Sequence, residues 1–304
     1  MTIAAPSEQG RLMRLASFAS VGAALFLIVL KFGAFLQTGS VSVLSSLFDS
    51  ALDAAASIVN LIAIRQALVP ADAEHRFGHG KAEPLAGLVQ VAFILGSSVV
   101  LAVEVVNRFR SGAAVTEVET GVAVMVISLI VTGLLVLLQR HVVRRTGSVA
   151  VRSDQAHYAT DFLVNVSVIA ALVLSTKLGW WWIDPVIGLC IAIFIAGAAL
   201  RVGKDALDML MDREMDEAER TRIKEIVRAH PEVVNLHDLR TRASGRDRFI
   251  QFHMELDGSL TLLQAHRISE MVEGEVCAAF PGAEVIIHED PAGASEPHAS
   301  YQYH

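Results

Sequence analysis

Long apolar stretches dominate the first two thirds of the chain and are separated by short polar turns. A helix needs roughly 20 mostly apolar residues to cross the hydrocarbon core of a bilayer. Six segments approach that length, at about residues 13–36, 41–67, 83–108, 118–141, 150–176 and 180–202. The pattern therefore predicts an all-α bundle of six transmembrane helices.

From about residue 205 the pattern becomes that of an ordinary soluble domain. Residues 216–231 place apolar side chains at helical intervals, and two alternating segments around Gly245 are typical of a β-hairpin. Residues 262–280 form a second amphipathic pattern, and a short strand follows. The order α-β-β-α-β predicts a small α+β domain with helices on one face of an open sheet. The expected division is an N-terminal tail at 1–12, a membrane domain at 13–208, a soluble domain at 209–291 and a disordered tail at 292–304.

Composition agrees with a membrane protein and narrows the possible partners. Apolar residues make up 53% of the chain and charged residues only 19%, whereas an average soluble protein carries about 25% charge. Residues 210–290 hold 17 acids against 10 bases, so the soluble domain accounts for a charge of −7, equal to that of the whole chain. Because phosphate binding needs clustered Lys and Arg, this argues against nucleic acid and fits a domain that binds cations.

The distribution of basic residues predicts the orientation in the membrane. Nine Lys and Arg residues lie in the N-terminal segment and the loops on one side, and three lie in the loops on the other. Basic residues favour the cytoplasmic side. We therefore expect a multi-pass protein of the cytoplasmic (inner) membrane with both termini and the soluble domain in the cytoplasm.

Two predicted spans carry ionisable residues where a bilayer disfavours them. Asp49 and Asp53 lie on the second span, and His157 and Asp161 on the fifth. Each pair is spaced i, i+4, so both side chains project from one face of their helix. A carboxylate at the bilayer centre costs roughly 2.5–3.5 kcal/mol on insertion scales, so these groups need a specific reason to be there.

Two explanations are open. In the structural one, the groups lie at helix ends in water or pair with a buried cation, although Lys31, the one cation inside the other spans, cannot neutralise three carboxylates. In the functional one, three carboxylates and an imidazole converge as oxygen and nitrogen ligands of a small divalent cation. The nitrogen favours Zn²⁺ over Mg²⁺, which prefers oxygen. It does not separate Zn²⁺ from Cd²⁺, Fe²⁺, Co²⁺ or Mn²⁺.

Further histidines and acids lie outside the spans. The loop after the second span contains the pattern D-x-x-H-x-x-x-H, formed by Asp72, His75 and His79. Loop histidines are usually only solvated, so this pattern alone is a weak signal. In the soluble domain, histidines and a following acid lie near the ends of predicted elements: His237, His253, His266, His288 and Asp290. Such a set can form a metal cluster, although any one of these histidines alone would suit a surface or packing role.

These motifs together resemble the cation diffusion facilitator family. The resemblance rests on FDSALD and SDQAHYATD in the spans, HRFGHGKAEPLA in the loop, and HDLRTR and VIIHEDP in the soluble domain, and it covers residues 10–291. It is closest to the bacterial branch that exports ferrous iron and zinc. It implies a homodimeric exporter, not an enzyme, that exchanges a divalent metal ion, Zn²⁺ or alternatively Cd²⁺ or Fe²⁺, for protons, with a metallochaperone-like cytoplasmic domain that regulates it.

The resemblance also implies roles for particular residues. It assigns the transport site to Asp49, Asp53, His157 and Asp161, and a second site to Asp72, His75 and His79. It implies a binuclear site at a dimer contact, formed by His237, His253, His266, His288 and Asp290. Lys81 and Asp212 match positions that form a charge interlock, and Glu289 is a doubtful ligand.

Two rival functions belong to other classes. A membrane-embedded metalloenzyme could use a similar ligand set to activate water, although the chain lacks the H-E-x-x-H pattern of zinc proteases. A metal sensor would bind ions without moving them. Coupled metal and proton flux separates an exporter from both rivals.

Overall fold

The computed structural model describes residues 6–38, 41–111, 119–178 and 183–293. Its contacts divide the chain into two compact units, Met1–Met211 and Asp212–His304. The boundary expected from the sequence, between residues 208 and 209, lies three residues before this division. The predicted tail beyond residue 293 lies outside the described residues, as do the first five residues.

The first unit consists of six long helices. They are α1 (Pro6–Thr38), α2 (Val41–Ala67), α3 (Ala82–Ser111), α4 (Glu119–Thr146), α5 (Val149–Leu178) and α6 (Ile183–Leu210). The predicted second span agrees with α2 at both ends, whereas α6 continues eight residues beyond the predicted sixth span. The predicted starts of the fourth and sixth spans, at residues 118 and 180, lie outside the described residues.

Within the described residues, four of these helices are long and apolar enough to cross a membrane. The candidate spans are Glu8–Gln37, Ser46–Ala67, Ala82–Val103 and Ala123–Thr146. Large apolar side chains such as Val29, Phe48 and Val100 are exposed on the outside of the bundle, whereas small ones such as Ala24 and Ala199 are buried within it. This arrangement suits lipid, where small residues let helices approach closely. That α5 and α6 also cross the membrane stays a prediction, although α5 has 30 residues and α6 has 28.

The second unit has the predicted order of elements. It contains α7 (Glu217–Arg228), β1 (Val233–Ser244), β2 (Asp247–Leu256), α8 (Leu262–Ala279) and β3 (Ala283–Pro291). Strand β2 lies in the middle of the sheet and pairs antiparallel with β1 and parallel with β3. The hairpin turn contains Gly245, whose φ of 60° lies in the region that glycine adopts at little cost.

The core of this unit lies between the sheet and the two helices. Alternate residues of β2, namely Ile250, Phe252 and Met254, are buried together with Val227 of α7 and Val272 of α8. Because successive strand residues point to opposite faces, the intervening residues of β2 lie on the face away from this core. That second face carries the candidate metal ligands described below.

The burial pattern of α8 gives a test of this core. Ile268 is 6% exposed and Met271, three residues later on the same helix, is 51% exposed. We expect Ile268→Ala to destabilise the unit by about 2–5 kcal/mol, because the substitution leaves a cavity. Met271→Ala is the matched control and should change stability by no more than about 0.5 kcal/mol. Hydrogen exchange of the buried β2 amides measures both, and equal effects would contradict this core.

Candidate metal centres

Helices α2 and α5 bring three of the four predicted transport ligands together. Asp53, His157 and Asp161 each offer a ligand atom, and these atoms lie within 4.8 Å of one another. His157 Nε2 lies 3.0 Å from Asp53 Oδ1 and 3.7 Å from Asp161 Oδ2. The His157 side chain is only 6% exposed, so the imidazole is held inside the bundle between the two carboxylates.

Asp49 lies outside this group of mutually close atoms. It precedes Asp53 by one helical turn and is exposed. Its role as a fourth ligand stays a prediction.

Lys31 does not form the ion pair that the structural explanation needs. Its Nζ donates to the carbonyl oxygen of Ser46 at 3.1 Å and to Ser50 Oγ at 2.7 Å, both on α2. Among the described residues, no ion pair joins Lys31 to an aspartate of this cluster. The charge of Lys31 still interacts with Asp53, Asp49 and Asp161, so this lysine lies near the cluster without a direct ion pair to it among the described residues.

Sequence reasoning missed a second acid on α5. Asp154 lies three residues before His157 and is buried, with hydrogen-bond donors from several other helices. The available signal was the spacing 154, 157 and 161, which places all three side chains along one side of α5.

The loop between α2 and α3 brings its three predicted ligands together. Asp72 lies 3.3 Å from His75 Nδ1 and 3.4 Å from His79 Nε2, and all three side chains form one group of close ligand atoms. Gly78, at a φ of 77°, makes the turn that returns His79 towards Asp72. The backbone N–H of His75 donates to Asp72 Oδ1 and is the main cause that lowers the pKa of this carboxyl below its ordinary value. Asp72 is therefore ionised and ready to bind a cation at neutral pH.

The second unit aligns three histidines across its sheet. His237 on β1, His253 on β2 and His288 on β3 are register partners, so their side chains form a row across the face opposite the helices. The ring centroids of His237 and His253 lie 5.1 Å apart, and those of His253 and His288 lie 4.5 Å apart. Residues far apart in sequence thus meet because three strands are held in register.

Asp290 connects this row of histidines. Its Oδ2 accepts from His253 Nδ1 at 2.8 Å and lies 3.5 Å from His237 Nε2, and its Oδ1 lies 3.2 Å from His288 Nε2. Burial alone would raise the pKa of Asp290, but the hydrogen bond to His253 and the nearby histidines hold that pKa below its ordinary value. His237, His253 and Asp290 form a further group of close ligand atoms.

Two more acids lie beside this row, and sequence reasoning missed both. Glu255 Oε1 lies 3.1 Å from His237 Nδ1, and Asp238 Oδ2 lies 3.9 Å from His253 Nε2. Strand alternation could have indicated Glu255, because it follows His253 by two residues and so shares its face. The position of the Asp238 side chain depends on a register irregularity after His237 and on a backbone φ of 47° at Asp238, and sequence alone reveals neither.

His266 and Glu289 lie away from the row of histidines. His266, on α8, has a 60% exposed side chain and lies 3.5 Å from Glu270. Glu289 accepts a hydrogen bond from Ser269 of α8, so it points to the helical face of the sheet. Within the described residues of one chain, neither side chain is grouped with the metal-binding set.

The two residues of the predicted charge interlock have contacts within their own units. Lys81 Nζ donates to the carbonyl oxygen of Leu210 at 3.3 Å, and Asp212 Oδ1 lies 3.4 Å from Arg242 Nη1. Asp212 has a φ of 56°, so the backbone turns sharply at the start of the second unit. The interlock stays a prediction.

All three groups of ligand atoms have the same chemical character. Each combines imidazole nitrogen with carboxylate oxygen, a donor set that suits borderline divalent cations such as Zn²⁺ better than Mg²⁺. One group lies within the helical bundle, one lies in a loop and one lies on a sheet. The chain therefore has the ligands to bind ions at a transmembrane position and at two positions outside the spans.

Comparisons with known proteins cover nearly the whole chain. Residues 17–211 match the cation efflux transmembrane domain, and residues 215–292 match the cytoplasmic domain of cation efflux proteins. The chain is 49% identical to the cation-efflux pump FieF of Shewanella oneidensis, over 92% of this chain and 94% of that protein. It is 45% identical to the cation-efflux pump FieF of Escherichia coli O1:K1, over 93% of this chain and 94% of that protein. Among solved structures, the metal-bound C-terminal domain of the CzcD transporter from Thermotoga maritima matches 27% of this chain and 100% of that chain, at 28% identity and a TM-score of 0.26.

The position of Asp290 gives a test of the cytoplasmic cluster. We expect Asp290→Asn to reduce the number of Zn²⁺ ions bound per chain, because the substitution removes the anion that contacts all three histidines. Asp257→Asn is the matched control, since Asp257 is exposed and its side chain, within the described residues, accepts a hydrogen bond from Ser259 of its own turn. Equilibrium dialysis of the purified chain measures both variants, and unchanged binding by Asp290→Asn would contradict the cluster.

Proposed function

This chain belongs to the cation efflux family, also called the cation diffusion facilitator family, and we propose that it exports Zn²⁺ across the cytoplasmic membrane in exchange for protons. Family membership gives the coarser statement, that the chain is a cation efflux transporter and not an enzyme. The metal and the exchange with protons are our proposal. Cd²⁺ and Fe²⁺ are alternative substrates with compatible chemistry.

The observation that carries the proposal is the cluster between α2 and α5. Two carboxylates share one imidazole there, and Asp161 Oδ2 is buried without a hydrogen-bond partner among the described residues. A buried anionic oxygen without a partner is costly, so a bound cation would stabilise this arrangement. Asp49 is proposed to complete a tetrahedral site by turning towards the ion, since it lies one turn away on the same helix face.

Competition between metal and protons accounts for the proposed exchange. Carboxylate and imidazole ligands must be deprotonated to bind a metal ion, so binding releases protons and protonation releases the ion. Histidine suits this exchange best, because its ordinary pKa lies closest to neutral pH. In the proposed alternating-access cycle, the site loads from the cytoplasm, faces outward, and loses the ion as protons enter along their gradient.

The loop cluster and the orientation complete the proposed path. With both termini in the cytoplasm, the loop between α2 and α3 lies on the cytoplasmic side, where the metal enters. Asp72 is ionised and exposed, so it can attract ions before they reach the membrane site. We therefore assign Asp72, His75 and His79 to a loading site.

The second unit is proposed to regulate transport as part of a homodimer. Residues 210–290 carry a net charge of −7, so two such units repel one another until metal ions neutralise them. Ions at His237, His253, His288 and Asp290 would tighten the dimer and bias the membrane unit towards its transporting state. His266 is exposed on α8, so we propose that it reaches an ion at a contact with a second chain. We also propose that Lys81 and Asp212 form a charge interlock that links the two units.

Transport in liposomes tests the proposal. With an imposed pH gradient, the wild-type chain should move Zn²⁺ in one direction and protons in the other. We expect Asp53→Asn and Asp49→Ala each to reduce Zn²⁺ flux by at least about a hundredfold. Losing a group that only supports a metal ligand already lowers metal affinity or activity by about 10- to 100-fold, and these substitutions remove a ligand itself. Asp205→Asn is the control, since this acid forms a half-exposed ion pair with Arg152.

The same assay distinguishes the rival functions. Parallel runs with Zn²⁺, Cd²⁺, Fe²⁺ and Mn²⁺ rank the substrates. Metal binding without flux would support a sensor and contradict the exporter. Metal flux with no change of internal pH would leave export intact and contradict exchange with protons.

A further inference from the structure

Asp154 is a buried carboxylate that the proposed transport cycle does not use. It lies on α5 with only 1% of its surface exposed, and within the described part of the chain its partners are neutral hydrogen-bond donors. A carboxylate is a costly choice for simple packing, because burial removes its hydration. Its presence therefore requires an explanation beyond helix packing.

Donors from three other helices converge on this carboxylate. Ser20 Oγ on α1 donates to Asp154 Oδ2 at 2.6 Å, and Gln139 Nε2 on α4 donates to the same oxygen at 2.7 Å. Gln90 Nε2 on α3 donates to Oδ1 at 2.8 Å. The amide of Asn60, on α2, also interacts with the carboxylate. One side chain thus connects α5 to four other helices.

Tyr158 extends the same network one turn along α5. Its hydroxyl shares a hydrogen bond of 2.8 Å with Ser57 Oγ on α2 and donates to the carbonyl oxygen of Ser20 at 3.4 Å. Gln139 Nε2 also donates to Ser20 Oγ at 2.9 Å, which closes the network through α1. His157 therefore lies between two anchored side chains, Asp154 and Tyr158.

We infer that Asp154 is a positioning residue for metal transport. By connecting α5 to α1, α3 and α4, its carboxylate fixes the turn of α5 from which His157 reaches Asp53 of α2. A fully satisfied buried network specifies one arrangement, and metal binding is sensitive to groups that hold the ligands in place. This role rests on the proposed export function, because it is defined by the geometry of that transport site.

The chain itself offers a graded set of substitutions. Asp154→Ala removes the acceptor of all three donors and should release this turn of α5. Asp154→Asn keeps the shape, and the adjacent Gln139 can adapt to it, since Gln139 Oε1 is buried without a hydrogen-bond partner among the described residues. Turning that amide over would present Oε1 to the new Asn amide and to Ser20. Ser20→Ala removes one donor and takes the place of Asp154→Ala in the measurements if that variant does not fold.

Metal affinity and transport kinetics separate positioning from general stability. In liposomes we expect Asp154→Ala to raise the KM for Zn²⁺ about tenfold or more. The KM of Asp154→Asn should stay within about threefold of the wild-type value, and that of Ser20→Ala should fall between the two. Ile195→Ala is the matched control, because Ile195 is buried in an apolar cluster of α3, α5 and α6 and lies outside the hydrogen-bond network. It should lower the thermal midpoint and leave the KM unchanged.

Three results would overturn the inference. A wild-type KM for Asp154→Ala would mean that the network only stabilises the fold. A tenfold rise for Ile195→Ala would mean that any destabilisation has this effect. A defect of Asp154→Asn equal to that of Asp154→Ala would assign the effect to charge and not to position.

Direct binding keeps the test independent of export. The Zn²⁺ Kd of the transmembrane cluster is measured by dialysis in a chain in which two ligands of each of the other clusters are replaced by alanine, namely Asp72 and His79, and His253 and Asp290. If the wild-type chain binds Zn²⁺ but transports none, the proposed function fails. A tenfold weaker Kd for Asp154→Ala, restored by Asp154→Asn, would still support positioning, and an unchanged Kd would refute it.

Discussion

A carboxylate buried in a helical bundle must be satisfied by hydrogen bonds or by a cation, and helix α5 contains both solutions. Asp154 accepts hydrogen bonds from Ser20, Gln90 and Gln139. Three residues later, His157 lies between Asp53 and Asp161, and one oxygen of Asp161 has no hydrogen-bond partner among the described residues. Asp154, with its full set of hydrogen bonds, suits a permanent contact between helices. The cluster around His157, which has an oxygen without a partner among the described residues, suits reversible binding of an ion.

The cytoplasmic unit meets the same constraint with a sheet instead of a bundle. Asp290 is buried against His237, His253 and His288, which three paired strands bring into one row. Two further acids, Glu255 and Asp238, lie beside this row and add negative charge. A divalent cation would balance both the buried acid and the acidic unit, which connects local ligand chemistry with the proposed regulation of a dimer.

Sequence patterns predicted the elements well and the contacts less well. The helical period located α2 and placed each predicted i, i+4 pair of transport ligands on one face of its helix, whereas the sheet histidines were predicted only from their positions near the ends of elements. Asp154 escaped notice because its partners lie on four other helices, up to 134 residues away in the chain. Glu255 could have been inferred from its spacing, whereas Asp238 depends on an irregular backbone that no spacing rule predicts.

By itself, the sequence determined the type and order of the helices and strands and which neighbouring side chains of one element share a face. Those properties follow from the local period of the backbone, 3.6 residues in a helix and two in a strand. Tertiary structure alone decided that His157 meets Asp53 across 104 residues, while Asp49 and His266 lie outside the groups formed within one chain. These outcomes depend on how whole elements rotate and slide against each other, and that is fixed by packing over the entire unit.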